Sequence, residues 1–189
     1  MLELWPLKPP LLTQIGFWIS LISSIVHTFG CVTNAWFINN EIRFKGGIWT
    51  YCFGDICGYY PNKSMKAEFK ATRILECLGI MFGTGSTVLL FLYTCLQQST
   101  VVEAVAAFHA LVASILIPIG VKLYIDDKSP NGELGYSVAV TSVGGKLYMI
   151  TFLCLLCDMY WKSSWRKTNS FCTRISKWTQ IFIKRISHR

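Results

Sequence analysis

The sequence predicts a membrane all-α bundle of four spanning helices carrying a small antiparallel β-sheet outside the bilayer. Three observations predict it. Of 189 residues, 52% are hydrophobic and the mean hydropathy is positive, at +0.42, which is unlike a soluble domain. Four stretches reach the roughly 20 apolar residues that a bilayer core of about 30 Å demands. Between the first two lies Gly46-Gly47-Ile48-Trp49-Thr50-Tyr51-Cys52-Phe53-Gly54-Asp55-Ile56-Cys57, whose paired cysteines suit an oxidised, folded loop.

The expected spans are residues 11–32, 74–96, 101–124 and 137–157. Backbone amides in lipid have no water partner, so each span should be a helix. The first is longer than the roughly 7–15 residues of a signal-peptide core, and Lys8 is balanced by Glu3 before it. It reads as a retained helix. The chain divides into a four-span domain, residues 1–160, and a basic tail, residues 161–189.

Charge sets the orientation. The net charge is +8, and Lys162, Arg166, Lys167, Arg174, Lys177, Lys184, Arg185 and Arg189 follow Asp158 with no acid among them. A basic tail directly after a span belongs in the cytoplasm. Four spans then put both termini inside, and residues 33–73 and 125–136 outside. The first loop is itself basic, with Arg43, Lys45, Lys63, Lys66, Lys70 and Arg73 against Glu41, Asp55 and Glu68. The paired cysteines decide in favour of an outer loop, and the glycosylation sequon Asn62-Lys63-Ser64 agrees.

The loop alternates like strands at Ile38, Glu41–Phe44 and Ile48–Cys52 around a Gly46-Gly47 turn. A bond between Cys52 and Cys57 would close a short ring worth roughly 2 kcal/mol in the chain-entropy model. Cys31 and Cys77 read as packing residues or as a second bridge. Cys95, Cys154, Cys157 and Cys172 lie near the inner face beside basic residues, as candidates for palmitoylation or as free thiols. Cys154 and Cys157 have CxxC spacing but no second ligand pair, so no metal site is expected.

Small residues provide the packing faces that membrane helices need. They are Gly79, Gly83, Gly85 and Ser86 in the second span, Ala106, Ala110 and Ala113 in the third, and Gly144 and Gly145 in the fourth. The spacing leaves open whether they serve the bundle or an oligomer. His109 and Lys146 both fall near mid-bilayer, either as a polar pair or as separate groups with the Lys reaching for the interface. In the tail, Ile175, Trp178, Phe182 and Ile186 at helical spacing suit a helix on an anionic inner leaflet.

The pattern Trp36…Gly47-Ile48-Trp49-Thr50-Tyr51-Cys52…Cys57 resembles the claudin, peripheral-myelin-protein and epithelial-membrane-protein superfamily, with Ile in place of Leu. Ala71-Thr72-Arg73 and Glu133-Leu134-Gly135-Tyr136 resemble that family's starts of the second and fourth helices. The short gap between the cysteines is most similar to that of the lens fibre membrane intrinsic protein group. The terminal Ile186-Ser187-His188-Arg189 lacks the hydrophobic last residue with which claudin tails bind PDZ scaffolds. The resemblance implies a plasma-membrane protein of cell–cell contacts that associates with similar tetraspan proteins. Its second implication is an auxiliary subunit of an ion channel or receptor. No nucleophile elbow, HExxH or phosphate loop is present, so no enzyme activity or cofactor is expected. The basic charge belongs to a membrane-adjacent tail, not to a nucleic-acid groove.

Overall fold

The computed structural model describes residues 10–61, 65–95, 99–128 and 133–186, with backbone alone for 127–128 and 165–186. The chain runs α1 (Leu11–Val32), β1 (Phe37–Asn39), β2 (Phe44–Gly46), β3 (Thr50–Phe53), β4 (Ile56–Tyr59), α2 (Ala67–Cys95), α3 (Thr100–Lys128), β5 (Glu133–Leu134) and α4 (Tyr136–Ile186). Four helices are long and apolar enough to cross a membrane. α1 packs chiefly on α4 and α2 on α3, with α3 against α4 closing the bundle.

The sheet sits at one end, in the order β4-β3-β2-β1-β5 with every pair antiparallel. Two features of the predicted sheet are corrected. Glu41–Arg43 form a turn, not a strand, because the Asn39 side chain accepts from the Glu41 and Ile42 amides and Arg43 takes a left-handed φ of 50°. The second connection adds β5, which pairs Leu134 with Phe37 and Glu133 with Ile38. β3 and β4 join through Gly54-Asp55, with Gly54 at φ 60°.

Three helices outrun their apolar stretches, α3 by running on to Lys128. α2 begins at Ala67, seven residues before the predicted span, and buries Phe69 and Thr72 in its added turns. α4 continues as helix through the basic tail to Ile186. The small residues face inward. Gly79 packs on Ile117 and His27, Gly83 lies under the Tyr148 ring, Gly144 meets His27 and Gly145 meets Ile117. Ala106, Ala110 and Ala113 are buried between them. The question that spacing left open is answered within the chain: these faces build the bundle.

Candidate functional site: the sheet and the polar interior

The sheet is fixed to the bundle by two side chains of the sequence pattern. Trp36 is fully buried, donates from Nε1 to the Gly30 carbonyl at 2.8 Å, and meets the Tyr124 ring edge-on at 5.0 Å. Its backbone joins the sheet to both connections, donating to Gly46 and accepting from Gly135. Arg73, on α2, donates from Nε to the Ile48 carbonyl. Its guanidinium lies 5.2, 5.7 and 5.0 Å from the ring centres of Trp49, Tyr60 and Phe69. A planar cation among ring faces gains attraction and excludes water. Burial pushes the Tyr60 hydroxyl up to about 12, against the pull of the neighbouring Arg73 charge.

Gly47 is required by close approach. A Cβ there would lie 2.7 Å from the Thr33 carbonyl oxygen and 2.9 Å from the Asn34 Cα, both backbone atoms that cannot swing aside. Gly47→Ala is therefore expected to push the β2–β3 turn off α1 and to cost about 1–3 kcal/mol, as overpacking does. Thermal unfolding in detergent measures it, and an unshifted midpoint would refute the contact.

Cys52 and Cys57 are bonded and face one another in the β3–β4 register. The Asn34 amide donates to the Cys52 sulfur at 3.0 Å. β4 is a sheet edge, with no strand paired on its outer side among the described residues. Phe53, Ile56 and Tyr59 are 57%, 79% and 81% exposed, and Ile42 on the neighbouring turn is 50% exposed. Phe53 and Ile56 are paired across β3–β4 and share one face, with Tyr59 on the other; large apolar groups exposed at a sheet edge are a surface that proteins ordinarily cover.

Inside the bundle, three polar layers follow one another. Nearest the sheet, His27 Nε2 and Glu76 Oε2 lie 2.8 Å apart, and the Cys31 thiol donates to the same oxygen at 3.5 Å. All three residues are buried. Their ligand atoms lie within 4.8 Å of one another, so these are the described residues that could hold a metal ion. Those contacts also serve without one, since imidazole and thiol hydrogen-bond the buried carboxylate. In the middle, the Ser24 hydroxyl meets those of Thr87 at 2.9 Å and Tyr148 at 2.8 Å and lies 3.0 Å from the Ser20 carbonyl, while the Thr87 hydroxyl also meets that of Ser20 at 2.8 Å. Ser23 donates to the Gly144 carbonyl at 2.6 Å.

At the far end Thr13, Tyr93, Glu103, Asp158 and Lys162 draw all four helices together. Lys162 donates to Glu103 at 2.7 Å and to the Tyr93 hydroxyl at 2.9 Å, and pairs with Asp158. The Thr13 hydroxyl is shared between Asp158 at 2.8 Å and Glu103 at 3.2 Å.

The proposed mid-span pair does not form. His109 turns Nδ1 to its own Val105 carbonyl at 2.8 Å and sets its ring against Phe82 and Gly85 of α2. Lys146 is exposed on α4, whose inward face is taken by Gly144, Gly145 and Tyr148. Cys31, Cys77, Cys95, Cys154 and Cys157 are free thiols, of which Cys77, Cys95 and Cys157 are exposed. Asn62 lies outside the described residues, as do the side chains of Cys172, Ile175, Trp178, Phe182 and Ile186. Sequence reasoning missed the acidic halves of the interior. Glu76 and Glu103 stand within apolar stretches and were the signal available, as was the i, i+4 spacing of His27 and Cys31. Compared with protein-family models and with curated proteins, the chain matches none.

Proposed function

We propose that the chain is a claudin-like tetraspan protein of the plasma membrane that acts in cell–cell contact or barrier structure through its stapled outer sheet. Both termini then lie in the cytoplasm, the sheet is extracellular, and the basic tail meets anionic lipids of the inner leaflet. The observation that carries this reading is the exposed apolar edge at β4. Phe53, Ile56 and Tyr59 stand exposed on, and Ile42 beside, a sheet that Trp36 and Arg73 hold to the helices. An apolar edge favours docking against the same loop of a neighbouring or facing copy. The disulfide supports an oxidising compartment on that side.

The test is clustering of suspended cells that express the full chain, after thiol labelling of intact cells. Cys52 and Cys57 should resist surface labelling until reduced. Wild-type cells should then aggregate, and Phe53→Ser with Ile56→Ser should abolish aggregation without reducing surface delivery. Wild-type cells that stay dispersed with the protein at their surface would refute the adhesive role. Lys146, outward on α4, favours a second reading, an auxiliary subunit beside a larger membrane partner.

A further inference from the structure

Lys146 stands where a lone cation is least tolerated. It lies ten residues into α4, about 15 Å along the helix from Tyr136, and twelve residues, about 18 Å, from Asp158 at the far end. Both ends of that interval are marked by polar structure, the sheet at one and the Lys162 network at the other. A lysine stem extends about 6 Å, short of either interface. Lys146 is exposed within an outward stripe of Val143, Ile150 and Leu153, each of them 44–48% exposed. His109 cannot receive it, because that ring faces α2. No ion pair or side-chain hydrogen bond reaches Lys146 among the described residues. A cation so placed costs several kcal/mol unless a countercharge meets it.

A second copy of this chain has no such countercharge to give. Glu68, Asp126 and Asp127 lie at helix ends, in the first turn of α2 and the last turn of α3, and the remaining acids of the four helices, Glu76, Glu103 and Asp158, are buried to 0%, 0% and 4% exposure. Each is already engaged, Glu76 by His27 and Cys31, and the other two by Thr13 and Lys162. We infer that the outward face of α4 docks a different membrane protein, through a spanning helix whose Asp or Glu meets Lys146 at mid-bilayer. Val143, Ile150 and Leu153 would flank the pair and keep lipid and water from it. Specificity would follow from charge, since a helix without the acid leaves the ammonium unpaired. This inference rests on reading α4 as a membrane span and extends the auxiliary-subunit reading by naming its contact.

The probe is a Leu-rich spanning peptide with one central Glu, reconstituted with the full chain in phosphatidylcholine vesicles and followed by energy transfer between labels. Peptides with central Gln or Leu are compared alongside. The Glu peptide should associate about tenfold more tightly than the Leu peptide. Lys146→Leu should erase that preference, and Lys146→Arg should keep it. Lys146 faces away from the bundle, so neither variant should lower the unfolding midpoint. Equal association of the Glu and Leu peptides with a chain that resists carbonate extraction would overturn the inference alone. A preference for Glu that survives in Lys146→Leu would also overturn it. Release of the chain by carbonate would overturn the membrane reading and the inference together.

Discussion

Lys162→Met is expected to destabilise the bundle by about 3 kcal/mol, at the lower end of what breaking a buried ion pair costs. Glu103 is fully buried, and Lys162 is its cationic partner among the described residues. Without the ammonium, the Glu103 and Asp158 carboxylates share the Thr13 hydroxyl and little else. Lys162 is 22% exposed, so some water or headgroup screening survives, which argues for the lower end of the range. The network ties together residues of all four helices, so its loss should appear as cooperative destabilisation and not as fraying of one segment. The measurement is denaturant unfolding in detergent micelles, read by tryptophan fluorescence. The same background with Glu103→Gln and Asp158→Asn should recover most of the loss, because neutral amides do not repel. A Lys162→Met midpoint equal to wild type would show that the network contributes specificity or nothing.

The parts of this fold legible in the sequence are those written in local composition. Apolar run length located α1 to the residue, because Pro10 and the polar Thr33-Asn34 bound it on either side. It placed α2 too late, since Glu68, Lys70 and Arg73 look like loop in a hydropathy reading. A helix does not stop where the bilayer does, and those turns are held by Phe69 in the core and Arg73 on the sheet. Alternation found the strand that carries Cys52, did not find β4, which carries Cys57, and misread Glu41–Arg43, where side-chain capping by Asn39 overrides the period of two. β5 is two residues long and exists only because β1 offers a free edge, which no local pattern announces.

The functional residues divide the same way. Trp49, Cys52 and Cys57 were found from their spacing, and Trp36, Gly47 and Arg73 from the family pattern the sequence resembles; each has a physical role at the junction or the staple. The interior partners were not found. His109 and Lys146 drew attention because a basic group in an apolar run is conspicuous, yet the pairs that form use acids: His27 with Glu76, and Lys162 with Glu103 and Asp158. Which helix faces which is a tertiary fact. His27 and Glu76 are 49 residues apart, and nothing local links them.

Trp36→Ala should be the most damaging single change at the sheet, costing about 3–5 kcal/mol as large aromatic-to-alanine truncations in cores do. The indole fills the centre of a cluster with Cys31, Phe37, Ile48, Phe69, Val121, Tyr124 and Val138, drawn from every helix and from the sheet. Truncation leaves a void among groups that cannot all collapse into it, because the Trp36 backbone is pinned by Gly46 on one side and Gly135 on the other. The hydrogen bond contributes less. Gly30 O also accepts from the Thr33 hydroxyl at 3.0 Å, so losing the indole N–H does not leave that carbonyl bare. Trp36→Phe should therefore cost about 1–2 kcal/mol, the lost bond and part of the ring. The two substitutions separate packing from hydrogen bonding. Hydrogen exchange gives the location: in Trp36→Ala the amides of β1, β2 and β5 should lose protection while mid-helix amides of α1 to α4 keep theirs. Loss spread evenly over sheet and helices would mean that the sheet and bundle fold as one unit. Unchanged protection in the strands would mean that Arg73 and its three aromatic rings hold the sheet without Trp36.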